Sequence, residues 1–237
     1  MVTIEVENLV KNYGNVEAVR GINFNVKEGE IFGLIGPNGA GKTTTLRILS
    51  TLLTITSGSV KIMGFDLEKN PIEIRKIISY LPEDAGAYKN LTGKGYLEFI
   101  ANFFDPKKVK EMVSKGVEIA DLDNRINDKV DTYSKGMKRR LLVGRALMID
   151  PKLAILDEPT SGLDVNNAQE IRKIIKNTAK EGTTILLSSH NMLEVEYLCD
   201  RIALIDDGKI VEEGKPQELM TKYKASNIEE VFTGVVK

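Results

Sequence analysis

The chain has 237 residues, 42% of them hydrophobic and 28% charged, and its formal net charge is −1. This composition is typical of a soluble globular protein. Because positive and negative charges balance, no excess of basic residues indicates binding to nucleic acid. No apolar run approaches the roughly 20 residues needed to cross a bilayer, and no signal peptide is recognisable. The single Cys199 excludes an internal disulfide and lies in an apolar run, so we expect it in the core.

The first thirty residues alternate between apolar and polar side chains, which predicts strands. The alternation covers Val2–Val6 and then Val19–Val26, with turn signals at Tyr13-Gly14-Asn15 and Glu28-Gly29. We therefore expect an antiparallel β subdomain at the N-terminus.

A glycine-rich stretch follows, between the buried-strand pattern of Glu30–Ile35 and a helical pattern over Thr44–Leu53. It fits G-x-x-x-x-G-K-T, in which glycines turn backbone N–H groups towards phosphate and the helix N-terminus adds partial positive charge. We expect Lys42 to reach the outer phosphates and the Thr43 hydroxyl to hold Mg²⁺. An ordinary glycine-rich turn is the alternative, and the flanking strand and helix disfavour it. The predicted nucleoside triphosphate contacts are Gly36, Pro37, Asn38, Gly39, Ala40, Gly41, Lys42, Thr43 and Thr44.

The chain then changes from mixed to helical patterns. A short strand over Ser59–Met63 is followed by a helix that begins near Pro71. Helical patterns continue to Met148, and they predict a helical insertion, at about 84–148, within the α/β frame. The helices expected in it are Gly95–Phe104, Pro106–Ala120 and Ser134–Met148.

Short apolar strands and helices alternate again in the second half of the chain, which predicts a mostly parallel sheet covered on both faces. Ligands of such sheets bind at the carboxyl ends of the strands. The expected elements are strands at Lys152–Leu156 and Thr183–Ser188, helices at about 166–180 and at Met192–Leu198, a hairpin of Arg201–Ile205 and Lys209–Val211, and a helical tail at about 215–237. At this length an α/β chain is often one domain.

Two carboxylates stand at the end of the apolar run Leu153–Leu156. Asp157 and Glu158 are costly to desolvate there unless they meet a cation, a proton or a donor. Beside a phosphate loop, Asp157 suits the shell of Mg²⁺, and Glu158 suits a general base for water attack on the γ-phosphate. A strand that simply exits to solvent is the alternative.

Six short motifs, the five named here and the signature peptide described below, stand in the order found in the ATP-binding subunits of ABC transporters, which the chain resembles over essentially its full length. Gly36–Thr43 match the Walker A loop, and Leu153–Glu158 match Walker B with its catalytic Glu158. Ser161–Asp164 resembles the D-loop, and His190 resembles the switch histidine. Tyr13 stands where the family has an aromatic that stacks on adenine. The resemblance implies one ABC ATPase domain over residues 1–237 that binds ATP with Mg²⁺ and contacts nucleotide through Asp164.

Tyr13 and His190 also have plain alternatives. A tyrosine in a turn beside glycine can cover the β core, although a π-face suits a nucleotide base. His190 is the only histidine, and an isolated histidine is often structural. It follows a strand whose end should face the γ-phosphate, which favours a catalytic role.

The signature peptide departs from the family's usual LSGGQ, because the chain has Tyr133-Ser134-Lys135-Gly136-Met137. Ser134 can cap the following helix, and Gly136 lets N–H groups approach phosphate, so both stay predicted nucleotide contacts. Lys135 either adds positive charge there or is a solvated surface lysine. We expect the neighbouring run Lys138-Arg139-Arg140 to be a solvated helix face.

A second departure is Glu83, which follows Tyr80-Leu81-Pro82 where the family has a glutamine. A carboxylate binds Mg²⁺ through oxygen as an amide does, but it adds negative charge and cannot donate a hydrogen bond. We expect Glu83 to remain a contact of the metal or of water.

The resemblance implies an ATPase that forms a head-to-tail dimer around two nucleotides and drives transport through separate integral-membrane permease subunits. Its peptides resemble the exporter-type branch, which implies export and a position at the cytoplasmic face of the cell membrane. The expected docking surface is the helical insertion from Glu83 to about Asp121. Side chains that either line a groove there or pack internally are Tyr88, Leu91, Phe103 and Phe104.

Two other functions compete with transport. A non-transport relative acting on nucleic acid or ribosomes usually carries tandem cassettes, a long coiled-coil insertion or a basic extension, and this chain has none of these. A GTP-binding switch needs an N-K-x-D peptide, which does not occur in the sequence. The resemblance implies pairing with a second ATP-binding subunit, and we expect a homodimer, with a heterodimer as the alternative.

Overall fold

The hydrophobic patterns fold into two β-sheets and nine α-helices in the part of the chain that the computed structural model describes, residues 1–236; for residues 193 and 194 only the backbone is described. The strands are β1 (Val2–Tyr13), β2 (Val16–Lys27), β3 (Ile31–Ile35), β4 (Ser57–Ile62), β5 (Phe65–Asp66), β6 (Ile78–Leu81), β7 (Leu153–Asp157), β8 (Thr184–Ser189), β9 (Arg201–Asp206) and β10 (Lys209–Gly214). The helices are α1 (Lys42–Leu49), α2 (Pro71–Ile77), α3 (Gly93–Phe104), α4 (Val109–Ala120), α5 (Lys135–Leu147), α6 (Val165–Lys180), α7 (Met192–Leu198), α8 (Pro216–Tyr223) and α9 (Ile228–Val235).

The larger sheet has six strands in the order β10-β9-β3-β8-β7-β6, and only the edge pair β9 and β10 is antiparallel. Strands β3, β7 and β8 are buried along their whole length. Helices and the second sheet cover both faces, which explains why these strands are almost continuously apolar. The predicted mostly parallel sheet is confirmed.

The smaller sheet is antiparallel, with the order β2-β1-β4-β5. Its alternating pattern places Ile4, Leu9 and Val26 in the core and leaves the intervening polar residues outside. The predicted N-terminal antiparallel subdomain is therefore confirmed, and it recruits β4 from beyond the phosphate loop.

Register aligns the carboxyl ends of three parallel strands. Ile35 of β3 pairs with Ser189 of β8, and Asp157 of β7 pairs with Ser188. The residues that follow these strands therefore meet at one edge of the sheet.

Helices α3, α4 and α5 occupy the segment predicted as a helical insertion. Helices α4 and α5 approach closely where two glycines face each other, since a Cβ built on Gly144 would lie 2.6 Å from the carbonyl oxygen of Gly116. Two short 3₁₀ turns, Asp123–Asn127 and Val130–Thr132, connect α4 to α5.

Some boundaries differ from the predicted ones. The helix expected over Thr44–Leu53 is α1, which ends at Leu49 because the backbone reverses at Thr51, where φ is +59°. The helix expected from Pro106 begins at Val109, after a turn closed by the Asp105 side chain. The predicted turn at Asp207-Gly208 has positive φ at both residues, as a tight hairpin requires.

None of the helices in residues 1–236 combines the length and hydropathy that a bilayer-crossing segment needs. Cys199 is buried, as expected of a core residue.

We expect Gly144→Ala to lower the free energy of unfolding by about 1–3 kcal/mol, because the added methyl group forces α4 and α5 apart. Urea unfolding followed by circular dichroism measures the loss. Gly234→Ala is the matched control, since nothing lies within 4 Å of a Cβ at that position. Equal stability of Gly144→Ala and the wild type would contradict the close packing of these helices.

Candidate active site

A cleft of about 140 Å³ opens at the carboxyl edge of the larger sheet, beside the start of α1. We call it the phosphate cleft, and its lining residues are Ala18, Asn38, Gly39, Gly41, Lys42, Thr43, Thr44, Glu83 and Glu158. Most of the predicted phosphate loop thus surrounds one space. Gly36 and Pro37 contribute carbonyl oxygens that accept from Lys42, and Ala40 is buried behind the loop.

Two loop glycines are required by geometry. A Cβ on Gly36 would lie 2.0 Å from the carbonyl oxygen of Ile205, so only glycine fits against β9. Gly41 has φ of +103° immediately before α1, and a Cβ there would lie 2.6 Å from the carbonyl oxygen of Ala18. The loop therefore curls tightly enough to turn its N–H groups inward.

Lys42 is buried against the loop that carries it. Its Nζ donates to the carbonyl oxygen of Gly36 at 2.7 Å and to that of Pro37 at 3.1 Å. The same ammonium lies 3.6 Å from Oε1 of Glu158, and both side chains are 6% exposed. Burial lowers the pKa of Lys42, and the neighbouring Glu158 opposes that effect.

Asp157 ends β7 and is almost fully buried. Its Oδ1 accepts from Ser188 Oγ at 2.6 Å and from Thr43 Oγ1 at 3.2 Å, and its Oδ2 accepts from the Tyr80 hydroxyl at 3.4 Å. Burial raises the pKa of Asp157, while the Ser188 and Thr43 hydroxyls oppose it. The structure therefore brings the two main predicted metal ligands together, and a cation beside them would offset the cost of burying this carboxylate.

Glu158 adopts φ of +48°, a left-handed conformation that non-glycine residues rarely take. Its N–H donates to Ser188 Oγ at 3.0 Å, and its Oε2 lies 2.8 Å from Nδ1 of His190. Within residues 1–236, Oε1 has no hydrogen-bond partner. The two predicted catalytic residues are thus in direct contact, with one carboxylate oxygen left to accept a proton.

Glu83 lines the phosphate cleft but is exposed. Its Oε1 accepts a hydrogen bond from Ser161 Oγ at 3.1 Å. The carboxylate therefore joins the segment after β6 to the segment after β7.

Tyr13 lies outside the lining of the phosphate cleft. It ends β1, is 47% exposed, and has the Lys11 ammonium 5.4 Å from its ring centroid. The β-hairpin that carries it also carries Ala18, which does line the cleft. Its ring face is accessible, and its contact with a base stays a prediction.

Ser134, Gly136 and Asp164 form a second group, which we call the signature cluster. Ser134 caps α5 by accepting from Met137 N–H, as predicted, and Asp164 caps α6 by accepting from Asn167 N–H. A Cβ on Gly136 would lie 2.2 Å from the Asn167 side chain, which shows how closely the two helix starts approach. No member of this cluster lines the phosphate cleft.

One prediction was wrong. The run Lys138-Arg139-Arg140 is not a solvated helix face, because Arg139 is only 7% exposed and points under the active site. Its Nη2 donates to the carbonyl oxygens of Asp157 and Glu158 at 2.9 and 2.7 Å. Residue type alone cannot identify the inward-facing member of a basic triplet.

Sequence reasoning also missed Ser188 and Tyr80, which hold the Asp157 carboxylate. Burial is the main cause that raises the pKa of Tyr80 to about 12, so the hydroxyl stays protonated and able to donate. A polar residue at the end of an apolar strand, next to the predicted carboxyl edge, was the available signal for Ser188.

A phosphate loop between a strand and a helix, facing two carboxylates at the end of a neighbouring parallel strand, defines a phosphate-loop nucleoside triphosphatase. The family model described as "ABC transporter" matches residues 19–161. The chain belongs to the ABC transporter family as an ATP-binding subunit, and it is an ATPase that binds nucleotide.

Curated relatives support this membership. The chain is 37% identical to the linearmycin resistance ATP-binding protein LnrL of Bacillus subtilis (strain 168), over 95% of the chain and 73% of that protein. It is 42% identical to the bacitracin transport ATP-binding protein BcrA of Bacillus licheniformis, over 89% of the chain and 69% of that protein. It is 34% identical to the Nod factor export ATP-binding protein I of Rhizobium etli, over 99% of the chain and 75% of that protein.

Solved structures show the same fold. An ATP-binding subunit of an ABC transporter has a TM-score of 0.87 and 27% identity, over 99% of this chain and 100% of that one. A dimeric ATP-binding cassette in a post-hydrolysis state, bound to ADP and Pi, has a TM-score of 0.78 and 26% identity, over 90% and 98% of the two chains.

We expect Ser188→Ala to lower kcat about 10–100-fold, because both the Asp157 carboxylate and the Glu158 N–H lose a partner. Steady-state phosphate release at saturating ATP measures the effect. Ser50→Ala is the matched control, since Ser50 is also a buried serine and its hydroxyl donates only to the carbonyl oxygen of Leu46. An unchanged kcat in Ser188→Ala would show that ATP hydrolysis does not depend on the hydrogen bonds of Ser188 to Asp157 and Glu158.

Proposed function

We propose that two copies of this chain bind ATP between them, head to tail, and that hydrolysis drives export of a solute through separate membrane-spanning subunits. The observation that carries the proposal is the separation of the signature cluster from the phosphate cleft. Names of relatives that include bacitracin transport and Nod factor export support the direction of transport. The solved relative that is dimeric and bound to ADP and Pi supports the assembly.

The signature cluster offers an anion-binding surface that lies outside the phosphate cleft of the same chain. Ser134 begins a helix of 13 residues, whose free N–H groups and dipole attract an anion. Gly136 and Asp164 stand beside it, away from the Lys42 ammonium that would bind phosphate in the same chain. In a dimer with twofold symmetry, each signature cluster would face the ATP phosphates that the phosphate cleft of the other copy binds. ATP then joins the two copies, and its hydrolysis releases them.

Within each site the side chains have distinct roles in the proposed reaction. Lys42 binds the outer phosphates, and Glu158 accepts a proton from the attacking water through Oε1, which lies 3.6 Å from the Lys42 ammonium and accepts no hydrogen bond within residues 1–236. His190 fixes the other carboxylate oxygen, since its Nδ1 lies 2.8 Å from Oε2.

Three oxygen-bearing side chains suit a magnesium ion at this site. We propose that Thr43 and Asp157 hold Mg²⁺, with Glu83 as an outer contact through water. Thr43 Oγ1 and Asp157 Oδ1 are 3.2 Å apart, and oxygen donors of this kind are those that Mg²⁺ prefers. When bound, Mg²⁺ neutralises charge on the phosphates.

A membrane partner needs a docking surface, and α3 together with Tyr88, which precedes it, offers exposed aromatic rings. Tyr88 contacts Phe99 at 5.3 Å between ring centroids, and Phe99 contacts Phe103 at 5.0 Å. Tyr88 and Phe103 are 58% and 73% exposed, and Phe104 lines a neighbouring cleft of about 210 Å³. Leu91 packs against the core and is left out of this surface.

We propose that these aromatic rings bind a segment of the permease, with residues 84–148 acting as the docking subdomain. The ATPase would then lie at the cytoplasmic face of the cell membrane. The C-terminal helices α8 and α9 pack against the core, because Leu219 of α8 and Ile228 and Val231 of α9 are buried in it.

We expect Glu158→Gln to retain ATP binding and to lower hydrolysis at least about 100-fold, because glutamine keeps the shape but cannot accept the proton. ATP should then trap a dimer, which size-exclusion chromatography with light scattering detects. Lys42→Ala is the comparison, since it should bind no ATP and stay monomeric. A Glu158→Gln variant that hydrolyses ATP at the wild-type rate would remove Glu158 from the mechanism.

We expect Tyr88→Asp and Phe103→Asp to lose most membrane recruitment while keeping ATP hydrolysis, because a charge replaces an apolar contact with the permease. The measurement is the fraction of the chain that sediments with membranes from the host cell. Tyr197→Asp is the matched control, an aromatic residue on α7 that is also 73% exposed. Normal recruitment of both the Tyr88 and the Phe103 variant would rule out this docking surface.

A further inference from the structure

Arg139 uses its whole guanidinium to bind the main chain. A guanidinium has five N–H groups, and Arg139 makes five hydrogen bonds, all to carbonyl oxygens. They join Nε to Pro159 at 2.8 Å, Nη2 to Asp157 at 2.9 Å and Glu158 at 2.7 Å, and Nη1 to Pro82 at 3.3 Å and Glu83 at 3.1 Å.

These carbonyl groups belong to two separate segments. One segment follows β7 and carries Glu158, and the other follows β6 and carries Glu83. Arg139 is 7% exposed and lies on α5, one turn after the capping residue Ser134. A single side chain therefore ties the helix that begins at the signature cluster to both segments that face the phosphate cleft.

The Glu158 backbone is the most constrained part of this arrangement. Its φ of +48° is a strained conformation for a residue other than glycine, and it persists only where the surroundings hold it. Ser188 Oγ accepts from the Glu158 N–H, and Arg139 donates to the Glu158 carbonyl oxygen. The same carbonyl oxygen also accepts from the Ser161 N–H at 3.2 Å. Both main-chain polar groups of Glu158 are thus held, and so is the point of the backbone from which its carboxylate extends.

We infer that Arg139 is a positioning residue for ATP hydrolysis, which holds Glu158 in its left-handed conformation so that the carboxylate points into the phosphate cleft. The inference rests on the proposed role of Glu158 as the base. Arg139 itself touches neither nucleotide nor water in this role. A lysine cannot replace it fully, because an ammonium has three N–H groups without the planar fork.

The next residue along the helix provides a contrast. Arg140 is only partly buried, and its Nη1 donates to the carbonyl oxygen of Asp121, away from both segments. It has the same side chain on the same helix and no contact with the active site. Arg140→Met therefore reproduces the chemical change of Arg139→Met without its proposed consequence.

The test is a double-mutant cycle between Arg139→Met and Glu158→Gln, read by single-turnover hydrolysis of ATP. We expect Arg139→Met alone to lower the rate about 30–100-fold, with the ATP dissociation constant within about threefold of the wild type. In the Glu158→Gln background the same change should lower the residual rate less than about threefold, because its target is already gone. Arg140→Met should stay near the wild-type rate, and Arg139→Lys should fall between.

Losses that multiply in the double mutant, or an ATP affinity that falls together with the rate, would overturn the inference, since a merely structural residue behaves in that way. Arg139→Lys in the same cycle replaces Arg139→Met if the latter does not fold. Failure of both to fold would make Arg139 purely structural and would equally overturn the inference. Wild-type activity of Glu158→Gln alone would instead disprove the proposed base. A Glu158→Gln variant with a strongly lowered residual rate, together with losses that multiply in the double mutant, would disprove only the role of Arg139.

Discussion

The active site buries one positive and two negative side chains, those of Lys42, Asp157 and Glu158. Each of these residues, taken as a whole, is at most 5% exposed to solvent. Each buried ion costs several kcal/mol to desolvate, so it must find opposite charge or hydrogen bonds nearby. The Lys42 ammonium donates hydrogen bonds to carbonyl oxygens of the loop. The Asp157 carboxylate accepts hydrogen bonds from the hydroxyl groups of Ser188 and Thr43. Only parallel strands that end at the same level bring these partners together, so the sheet register is the basis of the chemistry.

The same edge of the sheet explains why the site is supported from behind. Irregular backbone follows β6 and β7, and its carbonyl groups have no strand partner there. Arg139 donates to the carbonyl oxygens of four residues in this backbone and to that of Asp157, the last residue of β7. Arg145 on the same helix donates to the carbonyl oxygen of Tyr80, within β6, at 3.2 Å. Helix α5 therefore replaces the missing sheet neighbour with side-chain donors. The helical insertion is in this sense part of the active-site wall as well as the proposed docking surface.

The sequence alone predicts those parts of the fold whose determining residues are neighbours in the chain. The phosphate loop could be predicted because its glycines, its lysine and the following helix are contiguous. Strand β6 could not, since Ile78-Ser79-Tyr80-Leu81 follows α2 directly and becomes a strand only by pairing with β7. The inward direction of Arg139 depends on how α5 packs against the sheet, and the contact between Glu83 and Ser161 joins residues 78 positions apart. Such facts belong to tertiary structure.

The position of Ser134 and Arg139 on one short helix has a consequence for how two ATP molecules would communicate. The residues are separated by about 7.5 Å of helix axis, which is less than one and a half turns. In the proposed dimer, Ser134 meets the phosphate held by the other copy, while Arg139 steadies the base of its own copy. The backbone hydrogen bonds of the helix keep the short segment between these two residues rigid. A displacement of Ser134 would therefore also displace Arg139. Binding of the ATP held by one copy would thereby shift the catalytic base of the other copy through this one helix.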